Sequence, residues 1–90
     1  MSAFGYPVVL NLTGRSCLVV GGGAVAQRKV SALVEAGARV TIVSPSLTRP
    51  LLRLANEAPL RWWPREYSAG DAAGFMLVMI ATDDRAGAMA

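Results

Sequence analysis

The sequence predicts an α/β fold built on a parallel β-sheet. Three observations carry this prediction. Short apolar runs alternate with segments of helical periodicity, a glycine-rich turn follows the first run, and 90 residues at 53% hydrophobic content suffice for one core. Helical crossovers return each strand in the same direction, so the alternation favours parallel pairing. We expect one domain over residues 1–90, with about four strands and helices on both faces of an incomplete, doubly wound sheet.

The first strand and helix are the most regular elements. Cys17–Val20 is a continuous apolar run, which is typical of a strand that is buried on both faces. Apolar residues then recur at helical spacing from Ala26 to Gly37, on one face of a helix. Gly37 is predicted to end this helix, because glycine accepts the left-handed conformation that closes many helices.

A second strand and helix follow. Val40–Val43 is the predicted strand. Pro50 lacks an amide hydrogen and fits only a first helical turn, so we predict Thr48, in preference to Ser46, as the N-cap. The apolar face of this helix consists of Leu47, Leu51, Leu54, Ala55 and Ala58.

Two further strands are predicted. Leu60–Tyr67 is the weaker one, because Pro64 interrupts it and indicates a sheet edge or a bulge. Phe75–Ala81 is the clearer strand prediction, because its apolar run is unbroken. Thr82 and the two aspartates after it then read as the cap of a helix that has barely begun at Ala90, so the domain is expected to be truncated at its C-terminal end.

Composition excludes several classes of protein. Charged residues make up 17% of the chain, too few for a disordered segment, and no apolar run reaches the roughly 18–20 residues of a membrane span. No secretory signal opens the chain. With Cys17 as its one cysteine and no histidine, the chain has no ordinary zinc site and suits a reducing cytoplasm. The net charge of +3 comes from scattered basic residues, so no nucleic-acid surface is predicted.

The glycine-rich turn predicts dinucleotide binding. Gly21 and Gly23, with Ala26 after them, follow a buried strand and open an amphipathic helix. Gly21 permits the tight turn, Gly23 lets a pyrophosphate approach the backbone, and Ala26 keeps the helix close to the sheet. The helix N-terminus offers amide hydrogens and a partial positive charge to phosphate. We favour this Rossmann-type interpretation over a merely structural turn.

The ribose position departs from the general fingerprint. An acidic residue usually follows the second strand and holds the ribose hydroxyls. Here Ser44 stands in that place, followed by Pro45 and Ser46, whose hydroxyls and backbone amides are the candidate ribose contacts. Arg49 lies near enough for a 2′-phosphate, but an exposed arginine at the start of a helix is the simpler interpretation, so NAD is favoured over NADP.

Several stretches together resemble a known family. They are Tyr6–Leu12, the glycine-rich Gly21–Lys29, Leu33–Pro45, and Ala81–Asp84 after a hydrophobic strand. The chain resembles the N-terminal domain of siroheme synthase and the related precorrin-2 dehydrogenases over almost its whole length. The resemblance implies a cytoplasmic, dimeric enzyme that transfers hydride from precorrin-2 to NAD and forms sirohydrochlorin. Many relatives then insert ferrous iron.

The resemblance also implies the residues that contact the cofactor. By position these are Gly21, Gly23, Ala24, Val25, Pro45, Ser46 and Thr82, and a serine such as Ser44 is common in this family at the place of the ribose-binding acid. The catalytic aspartate of the family lies on the next strand, beyond Ala90. We therefore expect the chain to be the cofactor-binding part and assign no catalytic residue in it.

Some residues have simpler interpretations, and two other functions stay open. Cys17 is predicted to pack in the core, since no histidine could activate it. Trp62 and Trp63 are adjacent in a strand and should face opposite sides, one of them toward the core. The alternatives to the enzyme are a non-catalytic dinucleotide-sensing module and another NAD(P)-dependent oxidoreductase with the same fold. Sensing modules usually keep the acid that Ser44 replaces.

Overall fold

The computed structural model describes residues 11–81 as a four-stranded sheet with two helices. All neighbouring strands are parallel, in the order β3-β2-β1-β4. This confirms the predicted parallel α/β sheet. In chain order the elements are β1 (Ser16–Val20), α1 (Ala24–Glu35), β2 (Arg39–Val43), α2 (Arg49–Glu57), β3 (Leu60–Trp63) and β4 (Leu77–Ile80).

Strand register divides the side chains between two faces of the sheet. Cys17 pairs with Val40 and with Leu77, and Val19 pairs with Ile42, so these side chains point to the same face. Both helices pack there, through Ala26, Val30, Leu33 and Leu51, and they close the hydrophobic core. The helix predicted after Thr82 lies outside the described residues, so helices on both faces stay a prediction.

The predicted helix caps are confirmed. The Thr48 hydroxyl accepts a hydrogen bond from the Leu51 amide at 3.4 Å, and Pro50 lies in the first turn of α2. At the end of α1, Gly37 adopts a φ of +83° and its amide donates to the Val34 carbonyl at 2.9 Å. That left-handed conformation favours glycine and stops the helix. Neither described helix is long and apolar enough to cross a membrane.

The last two strands are shorter than predicted. β3 ends at Trp63 and does not reach Tyr67, because Pro64 has no amide hydrogen for the ladder and the Arg65 amide turns back to the Trp63 carbonyl at 2.8 Å. In β4 the regular strand begins only at Leu77. Hydrogen bonds to β1 continue beyond both ends of this strand, as is common at strand boundaries.

The connection between β3 and β4 crosses the sheet face that lacks the described helices. Arg65 forms a two-pronged ion pair with Asp71, at 2.7 and 2.9 Å between guanidinium nitrogens and carboxylate oxygens. The Ser68 amide donates to the same carboxylate at 2.7 Å. These hydrogen bonds lower the pKa of Asp71, the one from Arg65 most. A folded loop, not a helix, therefore joins the two edge strands.

Candidate functional site

The glycine-rich turn lies where β1 ends and α1 begins. Gly21 has a φ of +128°, a conformation that favours glycine, and its amide donates to the Val43 carbonyl at 3.1 Å. Gly23 is the N-cap of α1, with a φ of −98° and a ψ of −157°, which any residue can adopt. Backbone conformation therefore requires glycine at Gly21, whereas at Gly23 only the absence of a side chain matters.

The N-terminus of α1 suits an anion. Its first turn contains no acidic residue, and Gly23 has no side chain that could cap it. The Gly23 carbonyl accepts the first hydrogen bond of the helix, from the Gln27 amide at 2.9 Å. Ala24 is exposed at the helix start, and Val25 is half-buried against the core. The positive end of the helix dipole is therefore not offset by any carboxylate of that turn.

Gly22 is the residue that the sequence fingerprint missed. A Cβ atom there would overlap the Ser46 carbonyl oxygen and lie 2.7 Å from the Ser44 hydroxyl oxygen. The Gly22 carbonyl also accepts a hydrogen bond from the Thr48 amide at 3.0 Å. The turn after β1 thus contacts the loop after β2 directly. The available signal was the run of three consecutive glycines, because the general fingerprint accepts any residue at the middle position.

Ser44 shapes the loop after β2. Its hydroxyl donates to the Ser46 carbonyl at 2.7 Å, and the side chain is buried. The indole nitrogen of Trp62 donates to the Ser44 carbonyl at 2.9 Å. Pro45 and Ser46 are at the tip of the loop, and both are exposed. Trp62 therefore supports the candidate site from the core side. Trp62 and Ser44 are 18 residues apart in sequence, so only the structure reveals this role.

The carboxyl ends of three adjacent strands bring the predicted residues together. Val20 pairs with Val43 on one side, and its carbonyl accepts from the Ala81 amide at 2.8 Å on the other. The turn at 21–25 and the loop at 44–46 meet at this edge, as a parallel sheet requires. Thr82, the remaining predicted contact, lies outside the described residues.

Cys17 and the tryptophans have the predicted structural positions. Cys17 is fully buried in the core, and burial raises the pKa of its thiol. The prediction of a packing role is therefore confirmed. Trp62 packs against the core, while Trp63 lies on the opposite face, with its ring 6.0 Å from that of Phe75. Adjacent strand residues face opposite sides, as predicted.

Comparison with known proteins identifies the family. Residues 8–89 match the family described as "Putative NAD(P)-binding". The chain belongs to this family. Its members share the nucleotide-binding description, which agrees with the glycine-rich turn and with a first turn of α1 that contains no acidic residue. The prediction of a nicotinamide dinucleotide cofactor is thereby confirmed.

Curated relatives of this NAD(P)-binding chain are siroheme synthases. The chain is 48% identical over 79 residues to that of Thioalkalivibrio sulfidiphilus, covering 88% of the chain and 16% of the relative. It is 42% identical over 80 residues to that of Methylococcus capsulatus, covering 89% of the chain and 17% of the relative. The chain thus spans about one sixth of these relatives' length. The sequence identities confirm the resemblance predicted from the sequence.

A solved structure shows the same fold. The protein titled "SirC, precorrin-2 dehydrogenase" superposes with a TM-score of 0.83 at 32% sequence identity. The match covers 93% of this chain and 42% of that one. The incomplete Rossmann-type fold of this family member is therefore confirmed, together with its likeness to an oxidoreductase.

Proposed function

We propose that the chain is the NAD-binding part of an enzyme that dehydrogenates precorrin-2 to sirohydrochlorin. The observation that carries the proposal is the likeness to a precorrin-2 dehydrogenase over 93% of this chain. Identities of 42–48% to siroheme synthases support it. The turn at the end of β1 supplies what a dinucleotide requires: a tight glycine turn and a helix start without a carboxylate.

The cofactor lies across the carboxyl edge of the sheet in this proposal. Its pyrophosphate contacts the turn at 21–25, and its adenosine ribose borders the tip of the loop after β2. Ser44 holds that loop through its own hydrogen bond. Because no carboxylate stands there, the ribose contacts fall on Ser44, Pro45 and Ser46. The proposed cofactor contacts are Gly21, Gly23, Ala24, Val25, Ser44, Pro45, Ser46 and Thr82.

The bound dinucleotide would accept a hydride from precorrin-2, while a proton leaves the macrocycle. The described residues bind and orient the cofactor, and none of them is assigned to the proton transfer. The proposal extends to the longer protein. We place that protein in the cytoplasm as a homodimer, with a second activity that inserts ferrous iron into sirohydrochlorin. The support for all three is the family resemblance.

Gly23→Val tests the proposal. The backbone at Gly23 is accessible to any residue, so valine should leave the fold intact while its branches occupy the approach of the pyrophosphate. In the longer protein that contains this chain, we expect calorimetry to show no NAD binding by the variant, and precorrin-2 should yield no sirohydrochlorin absorbance. Ala32→Val, at an exposed position of α1, is the matched control and should retain both.

Two results would contradict the proposal in different ways. Equal NAD affinity in the wild type and in Gly23→Val would exclude the turn as the pyrophosphate site. A longer wild-type protein containing this chain that binds NAD but forms no sirohydrochlorin from precorrin-2 would keep the cofactor site and overturn the activity.

A further inference from the structure

A cleft of about 610 Å³ lies at the end of the sheet opposite the glycine-rich turn. Ser16 and Arg39, at the amino ends of β1 and β2, line it together with residues of β3 and of the β3–β4 connection. Dinucleotides bind at the carboxyl ends of such strands. This cleft is therefore separate from the proposed cofactor site.

Two arginines of the cleft have no acidic partner within residues 11–81. Arg61 pairs with Thr41, which lies two residues beyond Arg39 on β2. The usual spacing within and between strands places the two arginine Cα atoms roughly 8 Å apart on one face of the sheet. The ion pair that the structure shows in this part of the chain uses Arg65 instead. Both guanidinium groups can therefore reach a common anion in the cleft.

A buried hydroxyl also lines the cleft. Thr41 lies in β2 between β1 and β3, and only 7% of its surface is exposed. Among the described residues its hydroxyl group has no hydrogen-bond partner. Buried polar groups without a partner lower stability, so native proteins seldom retain them without a reason. An acceptor atom placed in the cleft would satisfy this group.

Aromatic rings form the remaining wall. Trp63 and Phe75 contact each other edge to face, at 6.0 Å between ring centroids and 73° between planes. The Arg65 guanidinium lies 5.0 Å from the Trp63 centroid. The indole is thus held in place by two side chains of the β3–β4 connection, and it lines the cleft as a planar aromatic ring.

We propose that this cleft binds an aromatic carboxylate. The carboxylate would lie between Arg39 and Arg61 and accept a hydrogen bond from the Thr41 hydroxyl, and the ring would pack on Trp63. An aromatic carboxylate would match the two arginines, the buried Thr41 hydroxyl and the Trp63 ring, and each of these features is a separate observation. The site differs from the cofactor site in position and does not depend on the proposed function.

Calorimetry with 1-naphthoate tests the proposal on the purified protein saturated with NAD. We expect binding, and a loss of affinity of about fivefold or more in Arg39→Gln and in Arg61→Gln, because each removes a charge-assisted hydrogen bond. Arg53→Gln, at an exposed position of α2, is the matched control and should bind like the wild type. The neutral analogue 1-naphthylmethanol should bind much more weakly.

A second variant separates binding from folding. Thr41→Val keeps the shape of the side chain and removes the unpartnered hydroxyl, so it should weaken 1-naphthoate binding without lowering the melting temperature. Three outcomes would overturn the proposal: no binding by the wild type, wild-type affinity in both arginine variants, or competition between 1-naphthoate and NAD.

Discussion

At the scale of single residues, the three glycines of the turn act for three different physical reasons. Gly21 has a left-handed φ, Gly23 leaves the approach to the helix start clear of a side chain, and Gly22 packs against the backbone of another loop. A fingerprint that counts glycines treats them alike. The structure separates them, so each predicts a different response to substitution.

Gly22→Ala should weaken NAD binding through the loop after β2. The new methyl group would overlap the Ser46 carbonyl oxygen, so the loop must shift, at a cost of about 1–3 kcal/mol in the free energy of unfolding. NAD affinity should fall about tenfold or more, since the proposed ribose contacts move with the loop. Urea unfolding and calorimetry measure the two effects.

Gly14→Ala is the control for that prediction. Gly14 has a φ of +73°, a methyl group added to it would meet nothing within 4 Å, and it precedes β1 at the other end of the sheet. Its substitution should cost about 1 kcal/mol of stability through backbone strain alone, with NAD affinity unchanged. If both variants lower affinity equally, the Gly22 contact does not position the loop.

Cys17 makes stability depend on pH in the alkaline range. Burial raises the pKa of its thiol in the folded state, so folding favours the neutral form. The contribution of the buried neutral thiol to the free energy of unfolding is complete below the unfolded-state pKa, about 8.5. It is lost as pH rises through the folded-state pKa. The wild type should therefore lose more stability above about pH 8.5 than Cys17→Ala, by urea unfolding.

At the scale of elements, the β3–β4 connection is ordered by side chains instead of by a helix. Arg65 links it to the sheet, since its guanidinium pairs with Asp71 and lies over the Trp63 ring. Pro64 ends β3 and releases the chain into this loop. The connection is thus a folded unit with a single ionic anchor among the described residues.

Asp71→Asn should loosen this connection locally. Asparagine cannot form the two-pronged ion pair, so the Phe75 and Met76 amides should exchange with solvent faster, while amides of β1 keep their protection. Glu66→Gln, a neighbouring exposed carboxylate, is the control. Because the Asp71 pKa is lowered, the ordering holds above the unfolded-state pKa of about 3.9 and is lost as pH falls through the folded-state pKa.

Unchanged exchange in Asp71→Asn would show that the aromatic contacts alone order the connection. The same exchange rates in both variants would lead to that conclusion. Faster exchange throughout the sheet would instead indicate global destabilisation, contrary to the prediction.

At the scale of the whole molecule, β4 is an edge strand with exposed apolar side chains. Within residues 11–81 its outer side has no neighbouring strand, and Ile80 and Met76 are 63% and 47% exposed. Unpaired strand edges of this kind tend to pair with other chains. The net charge of +3 opposes association only weakly, because salt screens charges beyond about 8 Å.

A polypeptide limited to these ninety residues should therefore self-associate. Light scattering should give a mass above that of the monomer at roughly 100 μM, within the range in which such edges aggregate. Ile80→Lys should reduce association, because charges protect edge strands. Leu52→Lys, at another exposed apolar position on α2, should not. A monomer with a cooperative thermal transition would contradict this prediction.

The same polypeptide should bind NAD without catalysing precorrin-2 oxidation. The proposed cofactor contacts lie within it, whereas no described residue is assigned to proton transfer. The absence of sirohydrochlorin absorbance, with NAD present, is the expected result. Turnover by the ninety-residue polypeptide would place a catalytic group among these residues.

The sequence by itself determined the features that depend on neighbours along the chain. The apolar run at Cys17–Val20, the turn at Gly21, the cap at Thr48 and the stop at Gly37 are all present as predicted. Local propensities, capping chemistry and φ preferences act over a few residues, so a sequence pattern records them directly. The order of strands and helices in turn defined the parallel sheet and the edge at which we propose that the dinucleotide binds.

Only the tertiary structure decided how distant segments meet. The contact of Gly22 with Ser46, the hydrogen bond from Trp62 to the Ser44 carbonyl and the cleft beside Arg39 join residues that are far apart in sequence. No periodicity encodes such contacts, because strand register and the burial of the whole sheet create them. The loop after β2 therefore has its shape from the packing around it, which the sequence pattern does not contain.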